Sequence, residues 1–436
     1  METRKTVYLV DGARTPFLRS KNEPGPFSAS DLAVEASRAL LLRQPFRASD
    51  IDEVITGCVS PSPQETNISR VVSLRLGCGN NVPAWTVQRN CASSLQAVDS
   101  AIKDIQLGRA HLVLAIGTEA MSHTPLLFNQ DMTKWLSKQM TSKSIKGKLK
   151  NLLKFRLGHI KPEIALMEGL TDYTVGMNMG ETAEELSKRF EVTREDMDEF
   201  AQSSQMRAAF AKDSEYFTEI VPIIDRDGKY YDHDTGIRDD SSPLALAQLK
   251  PVFDRKYGSV TAGNSSQVTD GAVALFLADE ETVEKYDLKP LAKIVDVEWS
   301  GVDPRIMGVG PVHASVPLMQ RHQLALHDID FWEINEAFAG QVLACLKALD
   351  DPEYCKEELG LESPIGEIDQ DTLNVYGGAI ALGHPVGASG ARLVLQLATI
   401  LQHKKAKRGI ASLCIGGGQG GAVLIESMSG ENDGNE

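Results

Sequence analysis

No two of the six cysteines (Cys58, Cys78, Cys91, Cys345, Cys355 and Cys414) form a CxxC pair, so the usual signature of a zinc ribbon or a thioredoxin-type site is missing. No window reaches the ~18 apolar residues of a membrane span. The opening METRKTVYLVDGARTPF has only a short apolar run before Asp11 and no small-residue cleavage site, which argues against a signal peptide. Basic charge is also scarce: 45 lysines and arginines face 60 acids, a net charge of -15. A general nucleic-acid binder needs a basic face and is disfavoured, whereas a small anion at a local basic patch is not. The expectation is a soluble, cytoplasmic chain with reduced thiols. Its 436 residues suffice for two or three domains at ~150 residues each.

Short β-rich runs alternate with helical patterns in the first third. TVYLVDG and DEVITGCV read as strands, and SASDLAVEASRALLL as a helix capped by Ser28 or Ser30. AWTVQRN leads into the helix SSLQAVDSAIKDIQLG, and HLVLAIGTEAMS is apolar without alternation, as a strand covered on both faces should be. This is a layered α/β pattern. The last third repeats the order, with helix then strand in VPLMQRHQLALHDIDFWEINEAF, and TLNVYGGAIALGHPVGASGARLVLQLATILQ echoing AWTVQRNCASSLQAVDSAIKDIQLG. Two similar stacked halves are the simplest reading. Residues 123–254 have less β character and more charge. Within them, 131–161 carry nine basic side chains against one acid, Asp131.

Four places could carry chemistry. Cys91 stands where a strand ends and a helix begins, so the helix N-terminus should lower its pKa, and Ala92, Ser93 and Ser94 leave room beside it. His384 is crowded by glycines in YGGAIALGHPVGASG, which suits close approach of a ligand to the main chain. Cys414 closes the strand ASLCI before GGGQGG, where bare backbone N–H groups can hold an oxyanion. That stretch leads into another strand, so it is not a dinucleotide-binding turn. Asn335 in EINEAFAG is either a helix N-cap or a residue that orients a water or substrate carbonyl.

NCASS, NEAF, GHPVGASG and CIGGGQGG occur in that order, joined by DGARTPF, DYTVGMNMGETAEEL and GSVTAGNSSQVTDGA. On these motifs, from residue 5 to about 427, the chain resembles the thiolase family, which cleaves or forms 3-ketoacyl-CoA. The resemblance implies an α/β thiolase fold of two duplicated halves in a five-layer α-β-α-β-α arrangement. The N-terminal half would be 1–122 with 255–287, the inserted loop domain 123–254, the C-terminal half 288–428, and a flexible tail 429–436. It also implies Cys91 as the acyl-carrying nucleophile, His384 as its base and Cys414 as the second acid/base. Asn335 would hold a water that forms one oxyanion hole with His384, and the N–H groups of Cys91 and Gly416 the other. Arg238 and Ser266 would touch CoA and Met179 the acyl pocket, while Asn178 replaces a histidine of many short-chain members. CoA and acyl-CoA are then substrates, and no metal or redox cofactor is implied.

The insertions at 131–172 and 350–369 resemble the β-subunit thiolases of fatty-acid oxidation trifunctional complexes, yet NEAF replaces their HEAF. The leading expectation is thiolysis of 3-ketoacyl-CoA in β-oxidation. The alternative is an acetoacetyl-CoA-forming acetyltransferase, and a more distant one is a non-catalytic lipid-carrier or scaffold subunit. Candidate partners are a second copy in a homodimer or tetramer, a hydratase/dehydrogenase α-subunit, and a membrane surface reached through 131–161. That basic insertion reads as a solvated face, an attractor for CoA phosphates, or a docking element with Ile145, Leu149, Leu152, Leu153 and Phe155 on one apolar side.

Overall fold

A computed structural model describes residues 5–21 and 23–428; the tail assigned to 429–436 lies outside the described residues. The N-terminal half contains β1 (Val7–Arg14), α1 (Ala29–Leu42), β2 (Glu53–Gly57), β3 (Ala84–Val87), α2 (Ser93–Gln106), β4 (Leu112–Ala120) and β5 (Thr269–Asp279). A long excursion between β4 and β5 holds α3 (Gln130–Thr141), α4 (Ile145–Leu152), α5 (Met179–Arg189) and α6 (Arg194–Asp213). The C-terminal half contains β6 (Ala292–Gly301), α7 (Gly310–Arg321), β7 (Phe331–Ile334), α8 (Ala339–Asp350), α9 (Ser389–Lys404), β8 (Arg408–Ile415) and β9 (Gln419–Ser427).

Both halves use one strand order. From the outer edge the N-terminal half runs β3-β2-β4-β5-β1, with β3·β2 and β2·β4 parallel and the other pairs antiparallel. The C-terminal half runs β7-β8-β9-β6, with β7·β8 parallel and the rest antiparallel, and Leu373 pairs in parallel with Trp332 at the place of β3. Even the irregularities match: β1 bulges between Leu9 and Asp11, β6 between Ile294 and Asp296. The halves meet edge to edge where Val7 pairs with Ile294.

Three apolar cores separate the five layers. α1 covers one face of the first sheet, with Leu32, Leu40, Leu114 and Phe276 buried together. α2 and α9 form the middle layer: Leu95, Val98, Leu393 and Leu397 pack with Val113 and Leu275 of one sheet and Leu413 and Val423 of the other. α7 and α8 close the far side through Val312, Leu318, Val342 and Leu349. Alternate residues of β4 enter different cores, Val113 the middle one and Leu114 the outer one, so its nine residues are all buried. Helix α9 is buried from Ser389 to Leu401, as a helix with protein on every side must be.

The excursion is tied down by charge and caps. Arg14 of β1 is fully buried and pairs with both oxygens of Asp234, at 2.7 and 2.8 Å, and with Glu219 at 2.9 Å. Asn178 caps α5 and Thr193 caps α6, each in a capping box; at α1 the cap is Ser28, not Ser30. The basic insertion is a helical hairpin on a β-stem, Leu126–Phe128 against Pro162–Ile164. Phe155 departs from the expected apolar side, because α4 ends at Leu152 and the ring turns back onto Trp135, centroid to centroid 5.1 Å. Among the described residues no helix is long and apolar enough to cross a membrane.

Candidate active site

The Cys91 turn is built by short-range hydrogen bonds. After β3, Asn90 takes a left-handed backbone with φ of 44°, which Asn tolerates better than most residues. The Ser93 hydroxyl donates to Asn90 O at 2.7 Å and accepts from Arg89 N at 2.9 Å. Asn90 Nδ2 donates to Gly416 O at 2.7 Å, which fixes the cysteine turn to the glycine-rich β8–β9 turn. Helix α2 has no side-chain cap; at its start Ala92 N donates to Arg89 O and Ser93 N to Asn90 O, each at 3.0 Å. The thiol is half-buried, and burial pushes its pKa up to about 11 while the N–H groups of Gly416 and Cys91 pull it down. The expectation of a lowered pKa is therefore corrected: desolvation outweighs the helix end, and the resting group is a thiol.

His384 carries a buried imidazole. Burial, and next the charge of Arg392, lower its pKa to about 3, so the ring is neutral. Its Nδ1 lies 2.6 Å from the Ser389 hydroxyl, which itself donates to Pro385 O at 3.1 Å. With that hydrogen committed, the hydroxyl accepts from Nδ1–H, and Nε2 keeps a lone pair. Nε2 is buried without a hydrogen-bond partner.

The His384 loop docks against the Cys91 helix. Ala391 N donates to Ser94 Oγ at 2.9 Å, and Gly387 N to Glu119 Oε2 at 3.1 Å. Glu119 also accepts from Val59 N at 2.8 Å and Ser60 N at 3.0 Å. Burial lifts its carboxyl to about 7 while these N–H groups draw it down. A side chain on Gly117 would meet Ser94 and the backbone of Gly387 and Ala388, so that glycine is needed for the approach of the two segments.

Cys414 is fully buried in an apolar cluster with Phe338, against which Met179 packs. Burial, followed by the charge of Cys91, raises its pKa well above the usual thiol value, so it too is a protonated thiol. Asn335 is fully buried. It is not the N-cap of α8, whose cap position is Phe338. Its Oδ1 accepts from Arg392 at 3.1 Å, and its Nδ2 is left without a partner. Arg392 is in turn held by Glu333 at 3.1 Å. A buried, unpartnered N–H is costly unless a ligand or water meets it.

Cys91, Gly416 and Met179 line one cavity of about 310 Å³. Ser266 lines a different one of about 810 Å³, with Arg19 and His123. Arg238 is outside both linings, but its charge bears on Arg19 of the second. Residues 164–170 connect them: Ile164 and Leu166 line the larger cavity, Gly169 and Leu170 the smaller.

Family models describing the thiolase N-terminal and C-terminal domains match residues 7–281 and 288–427. The chain belongs to the thiolase family. Enzymes of this family are acyltransferases that use CoA as a substrate. The mitochondrial trifunctional enzyme subunit beta of Bos taurus is 34% identical over 97% of this chain and 88% of its own. A beta-ketoadipyl-CoA thiolase of Acinetobacter baylyi is 38% identical over 97% of this chain and 100% of its own. The human mitochondrial 3-ketoacyl-CoA thiolase, solved with CoA, superposes with a TM-score of 0.81 at 36% identity, covering 97% of this chain and 98% of that one.

In this thiolase chain Asn178 has a local task, accepting from Glu181 N at 3.0 Å to start α5. Glu119, Arg392 and Ser389 escaped the reading of the sequence. For Glu119 a signal existed: it is a lone carboxylate in a strand buried on both faces, a placement that proteins rarely leave without a partner.

Proposed function

We propose that the protein cleaves 3-ketoacyl-CoA with CoA, giving acetyl-CoA and an acyl-CoA shortened by two carbons, as β-oxidation requires. The observation that carries this reading is a neutral imidazole with a free Nε2, in a loop docked on the helix that starts beside the Cys91 thiol. His384 Nε2 takes the Cys91 proton, and the thiolate attacks the 3-keto carbon. The carbonyl electrons return, the bond between carbons 2 and 3 breaks, and the acetyl-CoA carbanion takes the proton of Cys414. The acyl group stays on Cys91 as a thioester until the thiolate of a second CoA displaces it. The reading gives the oxyanions to Asn335 Nδ2, which has no partner within the fold, and to the N–H groups of Cys91 and Gly416. Arg19, Arg238 and Ser266 supply the polar, cationic end suited to the CoA phosphates and pantetheine.

Side-by-side thiolysis of 3-ketohexadecanoyl-CoA and acetoacetyl-CoA, with Cys91→Ala as control, tests the reading. Turnover of the long chain supports it. Turnover of acetoacetyl-CoA alone would favour the acetyltransferase, and turnover of neither the non-catalytic alternative.

A second element of the proposal is docking of the α3–α4 hairpin on an anionic membrane surface. Ile145, Leu153 and Leu157 are more than four-fifths exposed among lysines that nothing neutralises along 132–161, the composition of an interfacial helix. Sedimentation with phosphatidylserine vesicles should lose the protein when Lys146, Lys150 and Lys154 become Glu; equal binding of variant and wild type rules the docking out. The relative named as a trifunctional enzyme subunit beta also supports an α-subunit partner. The edge strand β3, with Trp85 exposed, suits self-association into a dimer or tetramer.

A further inference from the structure

The two cavities differ in charge, and the difference orients the substrate. The larger has Arg19, His123 and one carboxylate, Glu23, in its wall, and the charge of Arg238 bears on Arg19, so its cations outnumber its acid. A phosphate-bearing CoA end belongs there. The smaller contains Cys91, and what extends beyond the nucleophile must be the acyl chain. Among the described residues none of its lining groups is Lys, Arg or His. Its wall is formed by Val59, Leu170, Thr171, Met179 and Val386, together with one ionisable carboxyl group, Asp172.

That carboxylate is held as an anion. Thr174 donates to Asp172 Oδ1 through its hydroxyl and through its backbone N–H at 2.7 Å, and Val175 N adds a third bond at 3.2 Å. These bonds, the Thr174 hydroxyl foremost, keep the group below the usual carboxylate range. The segment is closed on itself: Met179 N donates to Leu170 O at 2.9 Å, and Asp172 N to Met177 O at 2.8 Å. The charge is therefore fixed in place in the cavity wall.

Resting on the thiolase reading above, we propose that this acyl cavity selects 3-ketoacyl groups ending in a neutral apolar chain and rejects those ending in a carboxylate, with Asp172 as the specificity-determining residue. A terminal carboxylate would lose water, find no cation, and face a fixed negative charge. A neutral chain meets Val59, Leu170, Met179 and Val386 at no such cost. The proposal separates this chain from the Acinetobacter baylyi relative named for beta-ketoadipyl-CoA, although that relative shares 38% identity against 34% for the trifunctional subunit.

The test uses the full chain and two six-carbon substrates, 3-ketohexanoyl-CoA and 3-ketoadipyl-CoA, which share the CoA end and differ in terminal charge. The expected ratio of kcat/KM favours the neutral substrate by about tenfold or more. Asp172→Asn keeps the Oδ1 acceptor that shapes the turn and removes the charge. It should narrow the ratio about fivefold, by gain on the dicarboxylic substrate. For the wild type, raising the salt concentration should narrow the ratio too, because screening weakens the repulsion while affecting both CoA moieties equally. Leu170→Arg, which supplies a cation, should narrow it further. A wild-type ratio near one overturns the proposal, as does a ratio that neither Asp172→Asn nor salt moves. Thiolysis of neither substrate, at a level equal to Cys91→Ala, overturns the thiolase reading itself.

Discussion

The hydroxyl of Ser94 accepts a 2.9 Å hydrogen bond from the backbone N–H of Ala391, joining the first turn of α2 to the first turn of α9. Cys91 stands just before one of these helices and His384 just before the other, so this bond between the halves helps set how the two side chains sit relative to each other, and in the proposed reaction how far a proton has to pass. Ser94→Ala leaves a buried N–H unpaired. It should cost about 1–2 kcal/mol of stability and lower kcat about tenfold, because misplacement by a fraction of an ångström disturbs proton transfer. Chemical denaturation and steady-state thiolysis read the two effects separately. Normal kcat in a destabilised variant would mean that the bond serves folding alone.

The raised pKa of Cys91 predicts how the free protein reacts with an alkylating agent. With the thiol lifted to about 11, the thiolate fraction grows throughout the range below that value. Site-specific alkylation by iodoacetamide, followed by mass spectrometry, should still be accelerating at pH 10. A plateau reached by pH 8 would show that the helix N-terminus overcomes burial after all.

Ser389 holds the His384 ring at Nδ1. Ser389→Ala removes the acceptor that fixes the tautomer, and kcat should fall about 10- to 100-fold with KM changed far less. Ser389→Thr retains the hydroxyl and should recover part of the loss. Equal activity of Ser389→Ala and wild type would remove Ser389 from the positioning of the base.

Arg14 sits between Asp234 and Glu219 without access to water. Arg14→Met leaves two buried carboxylates unpaired and should cost about 3–5 kcal/mol, seen as an earlier urea midpoint. Adding Asp234→Asn and Glu219→Gln should return part of that stability, because the uncompensated charge is the source of the loss. Failure of the triple variant to recover any of it would point to lost packing on Phe17 and Phe217, whose rings lie 5.0 and 5.4 Å from the guanidinium.

What could be read from the sequence was the part written in local pattern. The all-apolar run of β4 announced a strand covered on both faces, and the serines opening SASDLAVEASRALLL announced the start of α1. A strand-to-helix boundary marked the Cys91 turn, and neighbouring glycines marked those of His384 and Cys414. What stayed hidden depends on distance in the fold. The pKa of Cys91 depends on how much protein surrounds it, which no helix-end rule contains. Arg392 looks like one more polar residue of α9 until the fold places it between Glu333 and Asn335. Phe155 matched an apolar stripe only for as long as the helix was assumed to reach it.

The shared strand order and the twin bulges have one more consequence. The pairing of Val54 with Ala84 is repeated by Trp332 with Leu373, so the turn bearing Cys91 and the loop bearing His384 follow the same edge position of their two halves and precede corresponding central helices, α2 and α9. An assembly of two identical half-length chains would have to put the same residue at both places, thiol facing thiol or imidazole facing imidazole. Covalent linkage of the halves lifts that restriction. It gives a near-symmetric frame two unlike chemical groups, a thiol and an imidazole, at corresponding places.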